Sequence, residues 1–262
     1  MGGNTPIIKE PWEVDVMREA GRITHSSMMA AARAVRAGIS TGELDDIARA
    51  SIEKQGAVGT FIGYKVGGKP PYRHATCISV NEEIVHGIPD RKRVLKEGDI
   101  VSIDIGATHK GYVGDCACTI AVGRVTERAQ RIIDVTRESL AEAIKVMKPG
   151  ARLSHIGIAV QGYAQERGFS VVRDYCGHGV GRDLHEAPQV PNYFDPKFLD
   201  RDILLKPGHV LAIEPMLCEG THETRELSDR WTVVTADGKL SAHWEHTIAI
   251  TKDGCDILTR SE

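Results

Sequence analysis

The stretches "LKEGDIVSID" at 95–104 and "LKPGHVLAIE" at 205–214 share the pattern Leu-Lys-x-Gly-x-apolar-apolar-x-Ile-acid. Each copy delivers a carboxylate, Asp104 or Glu214, on a strand-like run. A second echo follows in the same order: "TIAV" at 119–122 trails Asp115, and "TIAI" at 247–250 trails Glu245. The spacing is far longer than a solenoid repeat, so it predicts two similar halves rather than an array. A single domain over residues 1–262 is expected, with a short tail at 1–6 and repeats at about 90–125 and 200–252.

The stretch "EVDVMREAGRITHSSMMAAARAVRAG" carries apolar residues at three- and four-residue steps, which predicts a helix closing at Gly38. Ser40 with Glu43 fits a capping box for a second helix, whose inward face would be Leu44, Ile47, Ala48 and Ile52. Two further helices are expected over 126–147 and 154–168, and loops over 56–76 and 189–202. Helices and strands mix without regular alternation, so an α+β fold is favoured over a parallel doubly wound sheet.

A net charge of −3 gives no overall basic field, which argues against nucleic acid as the main ligand. No apolar run approaches the ~20 residues needed to cross a bilayer. The start "MGGNTPIIKEPWE" lacks the basic and apolar segments of a signal peptide, and Pro6 stands where a myristoylation motif wants Ser or Thr. The six cysteines contain no CxxC pair and read as reduced thiols of a cytoplasmic protein.

In "DIVSIDIGATHKGYVGDCACTIAV", Val101, Ile103 and Ile105 would share one strand face, with Ser102 and Asp104 on the other. A turn tipped by His109 and Lys110 sets Asp104 opposite Asp115. Two carboxylates ~5 Å apart repel by roughly 3 kcal/mol at an effective dielectric of about 20. A proton, water or a cation can relieve this. A solvated acidic hairpin end is the simpler reading, but the flanking runs carry little charge and look buried.

Glu214 and Glu245 are likewise single acids in apolar strands, and His178 opens the glycine-rich "GHGVGRDLHEAP" at 177–188. Four acids and one imidazole exceed the needs of one tetrahedral zinc and suit two divalent ions sharing carboxylates. The same stretch sets His178 and His185 seven positions apart, with glycines that would let the backbone turn sharply. Gly177, Gly179 and Gly181 do not fit the GxGxxG of a nucleotide-cradling loop.

The motifs "CISVNEEIVHGIP", "GDIVSIDIGA", "GYVGDCA", "YCGHGVGRDLHEAP", "LAIEPM" and "LSDRWTVVTADGKLSAHWEHTIAIT" occur in order between Ile7 and Asp256. On them the chain resembles the type I methionine aminopeptidases, members of the pita-bread metallopeptidase family. The resemblance implies the pita-bread fold: two pseudo-symmetric halves around a central, mainly antiparallel sheet, with helices outside and metals in the crease.

The resemblance also implies that Asp104, Asp115, His178, Glu214 and Glu245 bind two divalent ions (Co, Mn, Fe or Zn), with Asp115 and Glu245 bridging. His86 and His185 match the family's non-ligand active-site histidines, and Glu214 would double as proton shuttle. The implied reaction is removal of the initiator methionine of nascent proteins when the second residue is small, by attack of a metal-activated water on the peptide carbonyl. Tyr72, Cys77 and Trp231 align with the methionine pocket, and Leu184 stands where an aromatic is common. Asn81 and Ser241 resemble a structural monovalent-cation site. The implied setting is a monomer meeting the N-terminal Met of nascent chains, in transient contact with the ribosome, with no specific nucleic acid and no membrane as partner. The alternatives are a proline-directed (Xaa-Pro) aminopeptidase of the same fold and a non-catalytic pita-bread binding protein. The first usually carries a further domain before the catalytic one, and the second loses metal residues that are all present here.

Overall fold

Glu10 and Glu13 form a capping box around Pro11 at the first helical position, and there α1 (Pro11–Ala34) begins. The computed structural model describes residues 6–261, so the expected N-terminal tail, Pro6 apart, lies outside the described residues. Small side chains let α1 press onto the sheet: a Cβ added at Gly114 would stand 2.7 Å from the Gly21 nitrogen. The helix stops at Ala34 rather than running to Gly38. Gly38 instead takes a φ of 89° and donates its N–H to the Leu95 carbonyl at 2.8 Å.

The expected capping box starts α2 (Thr41–Lys54): the Ser40 hydroxyl accepts the Glu43 N–H at 3.2 Å, and the Glu43 carboxylate accepts the Ser40 N–H at 2.9 Å. Leu44, Ala48 and Ile52 are buried, whereas Ile47 is only half-buried. Thr126 caps α3 (Glu127–Val146), and α4 is Ser154–Glu166. The expected loop at 189–202 holds a 3-10 helix at Pro196–Arg201, started by the fixed φ of Pro196 and by Asp195, whose side chain accepts the Lys197 N–H. Among the described residues no helix is long and apolar enough to cross a membrane.

Among the described residues nine strands form one sheet whose pairings are antiparallel. Its middle runs Ile100–His109, Tyr112–Ala121, Glu245–Ile250, Val210–Ile213, so the two sequence repeats meet at the centre. Hydrogen bonds across that seam are reciprocal. The Thr119 hydroxyl donates to the His243 carbonyl (2.8 Å) and accepts its N–H (2.9 Å), and Thr247 does the same with Asp115 (2.8 and 3.0 Å). This reciprocity relates two pseudo-symmetric halves. Helices α1 and α2 pack with Val101, Ile103 and Ile105 of the first half, and α3 and α4 with Leu211, Ile213 and Ile248 of the second. The architecture is α+β in the pita-bread arrangement, with helices outside a central antiparallel sheet.

Candidate metal centre

The turn between the first two central strands lies one residue later than the sequence suggests. His109 pairs with Tyr112, leaving Lys110 (φ 50°) and Gly111 (φ 78°) at the tip. Two successive positive φ values suit a two-residue hairpin turn, and Gly at the second position makes it cheap. Asp104 therefore faces Ala117, and Asp115 faces Gly106, correcting the expected Asp104–Asp115 pair. A two-residue slip keeps every side chain on its face, so both acids still share one surface.

Ala117 is flanked by Asp104 on one side and Glu245 on the other. One step along the same face lies Asp115, held through its backbone by Thr247. Thr247 pairs with Ala212, and Ala212 pairs with His178. Glu214 follows directly on Ile213 at the strand's end. Five polar side chains thus rise from one face of the sheet where the halves join. His178 Nε2 lies 3.5 Å from Glu214 and 3.9 Å from Asp115, and one ligand atom each of Asp115, His178 and Glu245 lies within 4.8 Å of the others.

Burial makes charge on these acids costly. Desolvation pushes the Asp104 carboxyl up to about 7. Asp115, Glu214 and Glu245 are likewise raised well above the ordinary carboxylate range, through desolvation first and repulsion from their acidic neighbours second. Oxygens of Asp115 (Oδ1) and Glu245 (Oε1) are buried with no hydrogen-bond partner among the described residues. His178 Nδ1 lies 2.9 Å from the Gly179 carbonyl, to which an Nδ1–H donates, leaving the Nε2 lone pair facing the acids. Desolvation pushes its pKa down to about 3, so the ring is neutral. Unpartnered acids and a free imidazole nitrogen fit divalent cations, and an oxygen-rich set with one nitrogen suits hard or borderline ions.

The glycines around His178 work differently from expectation. None of Gly177, Gly179 and Gly181 takes a positive φ. Cβ atoms at the first two would stand 2.3 Å from the Ala212 carbonyl and 2.2 Å from the Ala187 carbonyl. These positions need the missing side chain because neighbouring backbones press in. The return brings the His178 and His185 rings to 4.2 Å between centroids.

A cavity of about 430 Å³ opens above the acids. Its lining includes all of Asp104, Asp115, His178, Glu214, Glu245, His86, His185, Tyr72, Cys77, Leu184 and Trp231. His86, at a φ of 61°, packs edge-on to Trp231 and Tyr175, and burial pushes its pKa down to about 4. The Tyr72 ring meets Trp231 at 5.1 Å and its hydroxyl donates to the Thr76 carbonyl at 2.9 Å. Asn81 and Ser241 stand elsewhere, side by side: the Asn81 carbonyl accepts the Ser241 N–H at 2.9 Å.

Sequence reasoning missed Phe61, Tyr64, Lys69 and Tyr175 in the cavity wall, and His243 behind it. His243 is buried with neither ring nitrogen hydrogen-bonded among the described residues, and its Nε2 lies 3.8 Å from Glu214. It takes the position that the seam's reciprocal bonds relate to Asp115. That repeat symmetry was the available signal for His243. The wall residues 61–69 gave none, because they sit on a loop without periodicity.

The model of metallopeptidase family M24 matches residues 15–252. Methionine aminopeptidase 1 of Bacillus subtilis is 53% identical over 254 residues, covering 97% of this chain and 99% of the relative. Methionine aminopeptidase of Escherichia coli is 44% identical, covering 96% and 93%. The crystal structure of methionine aminopeptidase from Thermotoga maritima superposes with a TM-score of 0.93 at 42% identity, over 98% of this chain and 100% of that one. Prolidase from Pyrococcus furiosus shares the fold at a TM-score of 0.75 and 25% identity, and the match covers 66% of its length. With a family match across most of its length and relatives this similar end to end, the chain belongs to metallopeptidase family M24, beside the methionine aminopeptidases.

Proposed function

We propose that the chain is a metal-dependent aminopeptidase that removes an N-terminal methionine, preferring a small second residue. The observation that carries this is one cavity lined both by buried, partner-seeking acids and by the largely apolar Tyr72, Cys77, Leu184 and Trp231. Asp104, Asp115, His178, Glu214 and Glu245 would hold two divalent ions, drawn from Co, Mn, Fe or Zn. When bound, such ions polarise a carbonyl and bring the pKa of a water towards neutrality.

The remaining work falls to side chains. Glu214 takes the proton of the attacking water and returns it to the leaving amine. His185 donates to the oxyanion and His86 hydrogen-bonds the peptide nitrogen. The apolar wall takes the methionine side chain, with Leu184 filling less of it than an aromatic ring would. A monovalent cation beside Asn81 and Ser241 would draw on main-chain carbonyls. The Asn81 amide is already engaged by Asp99 and Ile100, and the Ser241 hydroxyl donates to Leu217. Six cysteines without a disulfide support the cytoplasm as its compartment.

The test is digestion of Met-Ala-Ser, Met-Lys-Ser and Ala-Pro-Ser by metal-stripped chain with each ion restored. Free methionine should appear fastest from Met-Ala-Ser. Preference for Ala-Pro-Ser would move the chain to the proline-directed class.

A further inference from the structure

Tyr64, on the loop that walls the cavity, sets its hydroxyl 2.7 Å from His185 Nδ1, with the two rings 5.3 Å apart and tilted by 40°. No other side chain on that loop makes such a bond to the site histidines among the described hydrogen bonds. A neutral imidazole has one N–H and one bare nitrogen, and the hydrogen bond at one nitrogen decides which is which. A phenol hydroxyl is the stronger proton donor of this pair, and a bare imidazole nitrogen is the stronger acceptor. The hydroxyl therefore donates to Nδ1, and the proton is left on Nε2.

We infer that Tyr64 is a positioning residue that fixes His185 as the Nε2–H tautomer. This rests on the proposed reading, in which His185 must donate a hydrogen bond to the developing oxyanion. Nδ1 is occupied by Tyr64, so only Nε2 is available for that task. With the opposite tautomer, Nε2 would present a lone pair to a negative oxygen. A neutral donor fixed in advance needs no reorganisation as charge develops. Tyr64 also ties the loop to the His178–His185 return, so ring angle and tautomer are set by one contact.

The test is nitrogen NMR of the zinc-loaded full chain at pH 8, where an ordinary imidazole is neutral. The His185 signals are assigned by their loss in His185→Ala. The expected spectrum shows Nδ1 as the bare, pyridine-like nitrogen and Nε2 as the protonated, pyrrole-like one. Tyr64→Phe keeps the ring and removes the donor. It should return His185 to a mixture of tautomers and lower kcat roughly tenfold with Met-Ala-Ser, leaving KM and zinc content as they were. A protonated Nδ1 in the unaltered chain, or a Tyr64→Phe chain with unchanged spectrum and kcat, would overturn the inference. A chain with the Nε2–H tautomer that releases no methionine supports the tautomer assignment and strikes the aminopeptidase reading instead.

Discussion

Raising the pH from 7 to 8 should loosen the metal-stripped chain, and a divalent ion should cancel the loss. Burial pushes the Asp104 carboxyl up to about 7 and raises those of Asp115, Glu214 and Glu245 well above the ordinary carboxylate range. An acid whose folded pKa is raised adds stability that is complete below its unfolded pKa, near 4, and lost as pH rises through the folded one. His86, His178 and His243 act in the opposite sense, with pKa values pushed down to about 4, 3 and 3. Their contribution grows with pH and is nearly complete above about 6.5. The window from 7 to 8 therefore separates the acids from these histidines. Each proton still held there costs ~1.4 kcal/mol per pH unit relative to the unfolded chain. One such proton amounts to ~1.4 kcal/mol, or about 3–6 °C in Tm for a domain of this size. Thermal melts of stripped and zinc-loaded protein at both pH values would measure it, and the loaded chain should show little of the fall. A stripped chain whose Tm is flat or rises across that window refutes the reasoning.

Asp115→Asn or Glu245→Gln should abolish both turnover and tight metal uptake, as read by peptide release and equilibrium dialysis; full activity in either contradicts its place at the centre. His185→Ala should keep its metals while turnover falls by roughly 10²–10³. Loss of metal in that variant would make His185 a ligand. The Lys9–Glu186 ion pair is nearly buried, with side chains 4% and 6% exposed. Lys9→Met leaves Glu186 uncompensated and should cost about 3 kcal/mol in denaturant unfolding, with most of it recovered in Lys9→Met/Glu186→Gln.

The sequence made the helices legible because their caps are local: Ser40 and Glu43 sit three residues apart and form their box where expected. The acids were legible because a lone carboxylate in an apolar strand has few explanations. Register was harder. It turned on whether His109 or Lys110 starts the turn, and a positive-φ pair ending in Gly111 decided it. The cavity wall was the least legible part. Phe61, Tyr64 and Lys69 reach it from an irregular loop anchored by contacts distant in sequence, such as the Trp231 indole N–H donating to the Pro70 carbonyl at 3.1 Å.

The most direct measurement is anomalous diffraction from crystals of the manganese-loaded chain, recorded above and below the metal's absorption edge. Two peaks should lie on the face shared by Asp104, Asp115, His178, Glu214 and Glu245, one of them within bonding distance of His178. Strong peaks elsewhere, with that face bare at saturating manganese, would contradict the account.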